Sequence, residues 1–343
     1  MNRRNFQKRM ASLAIGLPLA PKVVPNRPSI KPVRLRKGDV VGVIAPGSPV
    51  SEKALERANK NLEGLGLVVK LGKNIRAKRG FNAGTDEQRL EDLHAMFADT
   101  DVAAIWCARG GYGCTRLLPS IDYNLIRTNP KALIGYSDIT ALLQAIHIET
   151  GLIGFHAAVA SSDFTRYTKR YLKRILFQTK AETVIEMAKP NQRKGKRDTA
   201  YEARTIREGY ARGKLVGGNL SLLAALAGTK WELQAQNKVV FLEDIGEKPY
   251  RIDRMLTQLR QASYLKFSAG IALGIFEDCE AEKDDLSLSL QDTLDDRLTN
   301  LGVPVAYGLS FGHIADQCVL PIGITVELDA TSQQLILKES AVV

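Results

Sequence analysis

From Gly38 to the C-terminus, short β-branched runs alternate with longer stretches of helical periodicity, and this alternation limits the fold more than any other feature of the chain. Strands that alternate with helices pack as a parallel sheet, so the chain reads as α/β. Residues 40–45 (VVGVIA) predict a buried strand, with Pro46-Gly47-Ser48-Pro49 as the turn after it. Helices are predicted over 51–64 and 86–98, the second with Leu90, Leu93 and Phe97 at helical spacing, and a strand over 67–71 lies between them. Two more strands follow, 102–106 and 132–135, the latter running into Tyr136-Ser137-Asp138 and a helix over 139–148. A second block has Gly217-Gly218-Asn219 opening an Ala/Leu-rich helix. Strands follow at 239–242, 271–275 and 305–309, with an acidic loop over 277–296. Between the blocks, at about 165–214, Lys and Arg are dense and apolar periodicity fades. The expected division is therefore a head and arm (1–37), a first domain (38–165), a connection (166–214) and a second domain (215–343).

The formal net charge of +11 invites a nucleic-acid reading until its position is examined. Residues 1–37 hold ten of the 48 basic residues and none of the 37 acidic ones, which leaves the rest of the chain at +1. The body is close to neutral, so nucleic-acid binding is disfavoured. Met1-Asn-Arg-Arg-Asn-Phe-Gln-Lys-Arg9, followed by the weakly apolar 10–20, resembles a twin-arginine export signal, with Ala20 near a cleavage point. A periplasmic location is expected on that basis, with a basic tail on a cytoplasmic enzyme as the alternative. No stretch has the roughly 20 apolar residues that span a membrane.

Cys107, Cys114, Cys279 and Cys318 show no C-x-x-C spacing and no accompanying His pattern, so neither a metal site nor a cofactor is expected, and four buried free thiols are the simplest reading. The chemistry-bearing residues lie elsewhere, at the ends of predicted strands. Ser137 sits at a sharp strand-to-helix junction, where backbone N–H groups favour an oxyanion, although Gly135-Tyr-Ser-Asp-Ile139 lacks the second glycine of G-x-S-x-G. Such a serine is also an ordinary helix N-cap. Glu243 follows the strand 239–242, and His313 follows 305–309 in a glycine-rich loop. Strand ends are where ligands gather in α/β sheets, so Ser137, Glu243 and His313 form a candidate triad. The other histidines, His94, His147 and His156, fall within or just after helical patterns and read as structural. Asn219 reads as the cap of the helix after it.

Several of these stretches, in order, resemble the LD-carboxypeptidases, a serine peptidase family that includes the microcin C self-immunity peptidases. They are Gly38–Pro46, Arg109-Gly-Gly-Tyr-Gly113, Leu133-Ile-Gly-Tyr-Ser-Asp138, Gly217-Gly-Asn-Leu220, Phe241-Leu-Glu-Asp244 with Arg251-Ile-Asp-Arg254, and Gly312-His313. The resemblance implies a flavodoxin-like N-terminal α/β domain bearing the nucleophile Ser137. A smaller β-rich α/β domain would bear Glu243 and the base His313. It also implies an oxyanion hole from the backbone N–H groups of Gly111 and Asp138, and a homodimer.

The implied reaction releases the terminal D-alanine from a muropeptide tetrapeptide by hydrolysis of the L,D-amide. Arg109, beside Gly110, is the candidate partner for the substrate carboxylate, because a guanidinium fork suits that group, although it could equally brace its loop. Two other readings share the scaffold. One is an immunity-type peptidase acting on an aminoacyl-nucleotide amide, which would need an aromatic platform, Trp231 being the only tryptophan in the second domain. The other is a non-catalytic muropeptide-binding protein.

Overall fold

A computed structural model describes residues 27–282 and 286–343. The twin-arginine-like head therefore lies outside the described residues. The arm after it is anchored: Leu35 is buried, Ile30 exchanges backbone hydrogen bonds with Gly151 and Ile153, and Arg34 N–H donates to Val343.

Among the described residues there are fourteen strands, in two sheets. The first half supplies β1 (Val40–Ile44), β2 (Val68–Leu71), β3 (Val102–Cys107), β4 (Ala132–Gly135) and β5 (Phe155–His156). The second supplies β6 (Thr183–Ile185), β7 (Arg204–Arg207), β8 (Tyr210–Asn219), β9 (Lys238–Glu243), β10 (Gly270–Leu273), β11 (Val305–Tyr307), β12 (Leu320–Pro321), β13 (Thr325–Asp329) and β14 (Gln334–Leu337). The first sheet has the order β12-β5-β4-β3-β1-β2 and is parallel apart from β12. The second has the order β6-β14-β13-β8-β9-β10-β11-β7, with a parallel centre, β8 to β11, flanked by antiparallel strands. The alternating pattern thus gives the α/β architecture expected, with the second half the more β-rich.

The predicted helices form with small changes at their ends. Glu52–Glu63 starts at Ser51, whose side chain accepts from Ala54 N–H, and Asp86–Ala98 starts in a capping box between Thr85 and Gln88. Leu93 and Phe97 on the second of these are fully buried, each contributing roughly 1.5–3 kcal/mol of burial. No helix among the described residues is long and apolar enough to cross a membrane.

Two stretches differ from their expected form. Residues 166–214, read as a connection, contain the helix Arg166–Leu176, β6, the short helix Lys189–Lys194, β7 and half of β8. The helix buries Thr168, Tyr171, Leu172, Ile175 and Leu176 and turns its basic residues outward, while β6 and β7 are the two edges of the second sheet. One-sided burial is what weakened the apolar pattern there. The acidic loop ends in a helix, Leu290–Leu298, capped by Ser289 and burying Leu290, Leu294 and Leu298.

Candidate active site

The nucleophile candidate is held by backbone geometry. Beyond β4, Tyr136 is extended and Ser137 takes φ 64°, a left-handed conformation unusual for a residue with a side chain. A single 3₁₀ turn, Ser137–Ile139, then leads into the helix Thr140–Thr150. Ser137 therefore does not cap the helix; it occupies a strained elbow, as a nucleophile at this junction does.

The loop after β3 comes very close to it. A β-carbon added to Gly110 would lie 2.9 Å from Ser137 Cβ and 3.2 Å from its Oγ, so only glycine leaves this approach unhindered. Gly111 has φ 103°, and the same loop is fastened by Ser48, whose N–H donates to Gly110 O at 3.0 Å while its Oγ accepts from Tyr112 N–H at 3.1 Å. Asp138 is buried, and its carboxylate accepts from Cys114 N–H at 2.9 Å, which ties the elbow to the next loop.

The remaining two residues come from the second sheet. Glu243 ends β9 and is completely buried. His313 follows β11 on the loop that bridges Gly312 to Ile275, and its Nδ1 lies 2.7 Å from Glu243 Oε2. Burial opposes charge on both groups, but their mutual attraction and hydrogen bond outweigh it. The Glu243 carboxyl is thereby held below its usual range and the His313 imidazole above its ordinary 6.5. His313 Nδ1 is thus committed to the carboxylate, leaving Nε2 for the reaction.

The seam between the two sheets brings these pieces together. Asn219, at the end of β8, is in register with Glu243 on β9, and its N–H donates to Thr140 Oγ1 at 3.1 Å, three residues beyond Ser137. A side chain at Gly218 would strike Thr140 Cγ2 at 2.4 Å, so the strand end can abut the helix that follows Ser137 only as glycine. Asn219 also caps the following helix through Leu222 N–H, as expected, and donates from Nδ2 to Asp244 Oδ1 at 2.9 Å. Burial and the neighbouring Glu243 charge push Asp244 up to about 6.

Ser137, His313, Gly110, Gly111 and Arg109 all line one cavity of about 540 Å³. Among the described residues His313 hydrogen-bonds Glu243 but not Ser137; such contacts commonly close only around substrate. Arg109 both lines the cavity and braces its loop, donating from Nη1 to Pro49 O at 3.2 Å.

Three aromatic contacts were not apparent from sequence. The Tyr136 ring packs on His313 with centroids 4.7 Å apart, and His156 is fully buried behind it, 6.0 Å from Tyr136 and 5.2 Å from Phe241. The position of Tyr136 beside Ser137 was the only available hint. Trp231 is buried and donates to Glu149 Oε1 at 3.1 Å, and it does not line the cavity. The four cysteines are buried and unpaired, and no group of His, Cys, Asp and Glu suited to a metal ion occurs among the described residues.

Comparison with known proteins places this geometry in a family. The family models of the LD-carboxypeptidase N-terminal and C-terminal domains match residues 41–157 and 212–328. A probable murein peptide carboxypeptidase of Bacillus subtilis (strain 168) is 42% identical over 90% of this chain and 94% of its own length. The crystal structure of a muramoyltetrapeptide carboxypeptidase from Oxalobacter formigenes superposes with a TM-score of 0.75 at 29% identity, covering 88% of this chain and 99% of that one. The microcin C7 self immunity protein MccF shares the fold, with a TM-score of 0.81 at 23% identity over 92% of this chain and all of its own. The chain belongs to the LD-carboxypeptidase family of serine peptidases.

Proposed function

We propose that this carboxypeptidase releases the terminal D-alanine from muropeptide tetrapeptides by a Ser137–His313–Glu243 mechanism. The observation that carries the reading is the convergence of a strained Ser137 and a Glu243-bound His313 on one cavity. The murein and muramoyltetrapeptide carboxypeptidases named among its relatives supply the substrate class.

In this mechanism His313 Nε2 takes the Ser137 proton as Oγ attacks the carbonyl of the L,D-amide. Glu243 holds Nδ1–H and stabilises the imidazolium that forms. The backbone N–H groups of Gly111 and Asp138 receive the oxyanion, a role their fixed loops suit because preformed donors need no reorganisation. The imidazolium then protonates the leaving amine, D-alanine departs, and water activated by His313 hydrolyses the acyl-enzyme. Arg109 receives the substrate's terminal carboxylate, since its brace to Pro49 keeps the guanidinium at the cavity wall.

The immunity-type reading finds no specific support, because its aromatic candidate, Trp231, is buried against Glu149. Incubation of the protein with a muropeptide tetrapeptide and, separately, with an aminoacyl sulfamoyl nucleotide discriminates the two. D-Alanine release from the first is expected; cleavage of the nucleotide alone would sink the proposal, and binding without cleavage would make the chain a muropeptide-binding protein. The Arg3-Arg4 head supports a periplasmic site for this activity, and unchanged fractionation after both are replaced by lysine would remove that location.

A further inference from the structure

Behind the His313–Glu243 pair, away from the cavity, lies a second imidazole with no part in the triad. The other histidines of the chain are hydrogen-bonded. His94 Nε2 accepts from Asp122 N–H at 3.0 Å, His147 Nδ1 bonds Leu152 O at 3.1 Å, and His313 bonds Glu243. His156 is fully buried, yet neither of its ring nitrogens has a hydrogen-bond partner among the described residues. An unpartnered buried polar group opposes folding, whereas an apolar ring of similar shape carries no such cost. Packing alone therefore does not account for a histidine here.

Its position does. His156 ends β5 in register with Gly135 of β4, on the strand next to the Tyr136-Ser137 elbow. Across the seam its ring makes a T-shaped contact with Phe241, centroids 5.2 Å apart. Phe241 and Glu243 are two residues apart on β9 and so project from the same face of the second sheet. His156 thereby comes onto the face that carries Glu243, and the two groups are in electrostatic contact. Glu243 is completely buried; its Oε2 meets His313 Nδ1, while Oε1 has no hydrogen-bond partner among the described residues. Burial opposes the Glu243 charge, and the His313 and His156 rings favour it. Burial likewise pushes the His156 imidazole down to about 4, with the Glu243 charge opposing that shift and His313 adding to it. At neutral pH His156 is therefore uncharged, and it brings the carboxylate a dipole rather than a cation that would compete with His313.

Resting on the triad reading above, we infer that His156 is a positioning residue, a neutral buried imidazole whose N–H dipole keeps Glu243 ionised and oriented while Glu243 holds His313. It touches no substrate, being fully buried and outside the cavity lining. Its contribution is largest in the transition state, where a carboxylate and not a carboxylic acid must face the forming imidazolium.

The test measures D-alanine release from a muropeptide tetrapeptide, together with thermal stability, for the wild type, His156→Phe, His156→Leu and His156→Gln. The two apolar variants should lose roughly ten- to hundredfold in kcat, the effect of one donor to a charged group, with KM nearly unchanged. His156→Phe should melt no lower than the wild type, because it removes an unpartnered polar group. A merely structural histidine would give the opposite pair of results, lower stability with unchanged kcat. His156→Gln keeps an N–H donor and should recover most of the lost rate. None of the three should lower the residual activity further in a Glu243→Gln background, since the charge they act through is gone. If His156→Phe does not fold, His156→Leu carries the same comparison of kcat. Wild-type kcat in the apolar variants, a glutamine no better than they are, or the same loss in the Glu243→Gln background overturns the role of His156 alone. Absence of release by the wild type overturns the carboxypeptidase reading itself, and this role with it.

Discussion

The two halves of the candidate site are built from different materials. On the first sheet the machinery is mainly backbone: a left-handed Ser137, glycines packed against it and N–H groups aimed by loops that side chains fasten from behind. On the second sheet it is a pair of side chains joined by one hydrogen bond, Glu243 at the end of β9 and His313 on the loop that follows β11, two strands away. Damage to the second half should therefore follow residue chemistry, while damage to the first should follow the volume added near Ser137. Substitutions chosen on each side can separate these two kinds of dependence.

The largest loss is expected at the base. His313→Ala should lower kcat on the order of 10⁶-fold, as loss of the base does in a concerted triad, measured as D-alanine release. A loss below a hundredfold would mean that another group accepts the proton. Glu243→Gln keeps the shape and removes the charge, and should cost about 10⁴-fold by favouring the wrong His313 tautomer.

On the backbone side, Gly110→Ala adds one methyl group 2.9 Å from Ser137 Cβ. It should lower kcat by about 10²–10³, the range for a lost oxyanion donor, with a much smaller change in KM. Unchanged kcat would show that the loop gives way easily and that the two halves do not differ as described.

The smallest effect is a shift in pH dependence. His313 must be neutral to accept a proton, and its pairing with Glu243 raises its pKa above 6.5, so kcat/KM should fall as pH drops through a value above 6.5. In Glu243→Gln the raising charge is gone while burial still opposes the imidazolium, so the acid limb of the residual activity should move to lower pH. A limb that stays in place would assign it to a group other than His313.

The same contrast explains how much was legible in the sequence. Ser137, Glu243 and His313 could be found because each follows a predicted strand in an α/β pattern. The α/β architecture followed from alternation alone. What could not be read depended on partners distant in the chain. The edge strand β7 begins and ends in arginine, β6 is only three residues long, and β12 returns Leu320–Pro321 to the first sheet, too short to leave a pattern. The packing of Tyr136 on His313, across 177 positions, needs both sheets in place. The helix Leu290–Leu298 is a different case, since Ser289 and the Leu290, Leu294, Leu298 spacing were present but the acidic residues around them drew attention to a loop.

The central claim is that Ser137 is the residue that becomes acylated. The most direct measurement is intact-protein and peptide mass spectrometry after reaction with a fluorophosphonate, in parallel with D-alanine release, for the wild type and Ser137→Ala. The account predicts one phosphonyl group, located on Ser137, with loss of release in the labelled wild type and no labelling or release in Ser137→Ala. Stoichiometric labelling at another residue, or release by Ser137→Ala at the wild-type rate, would contradict it.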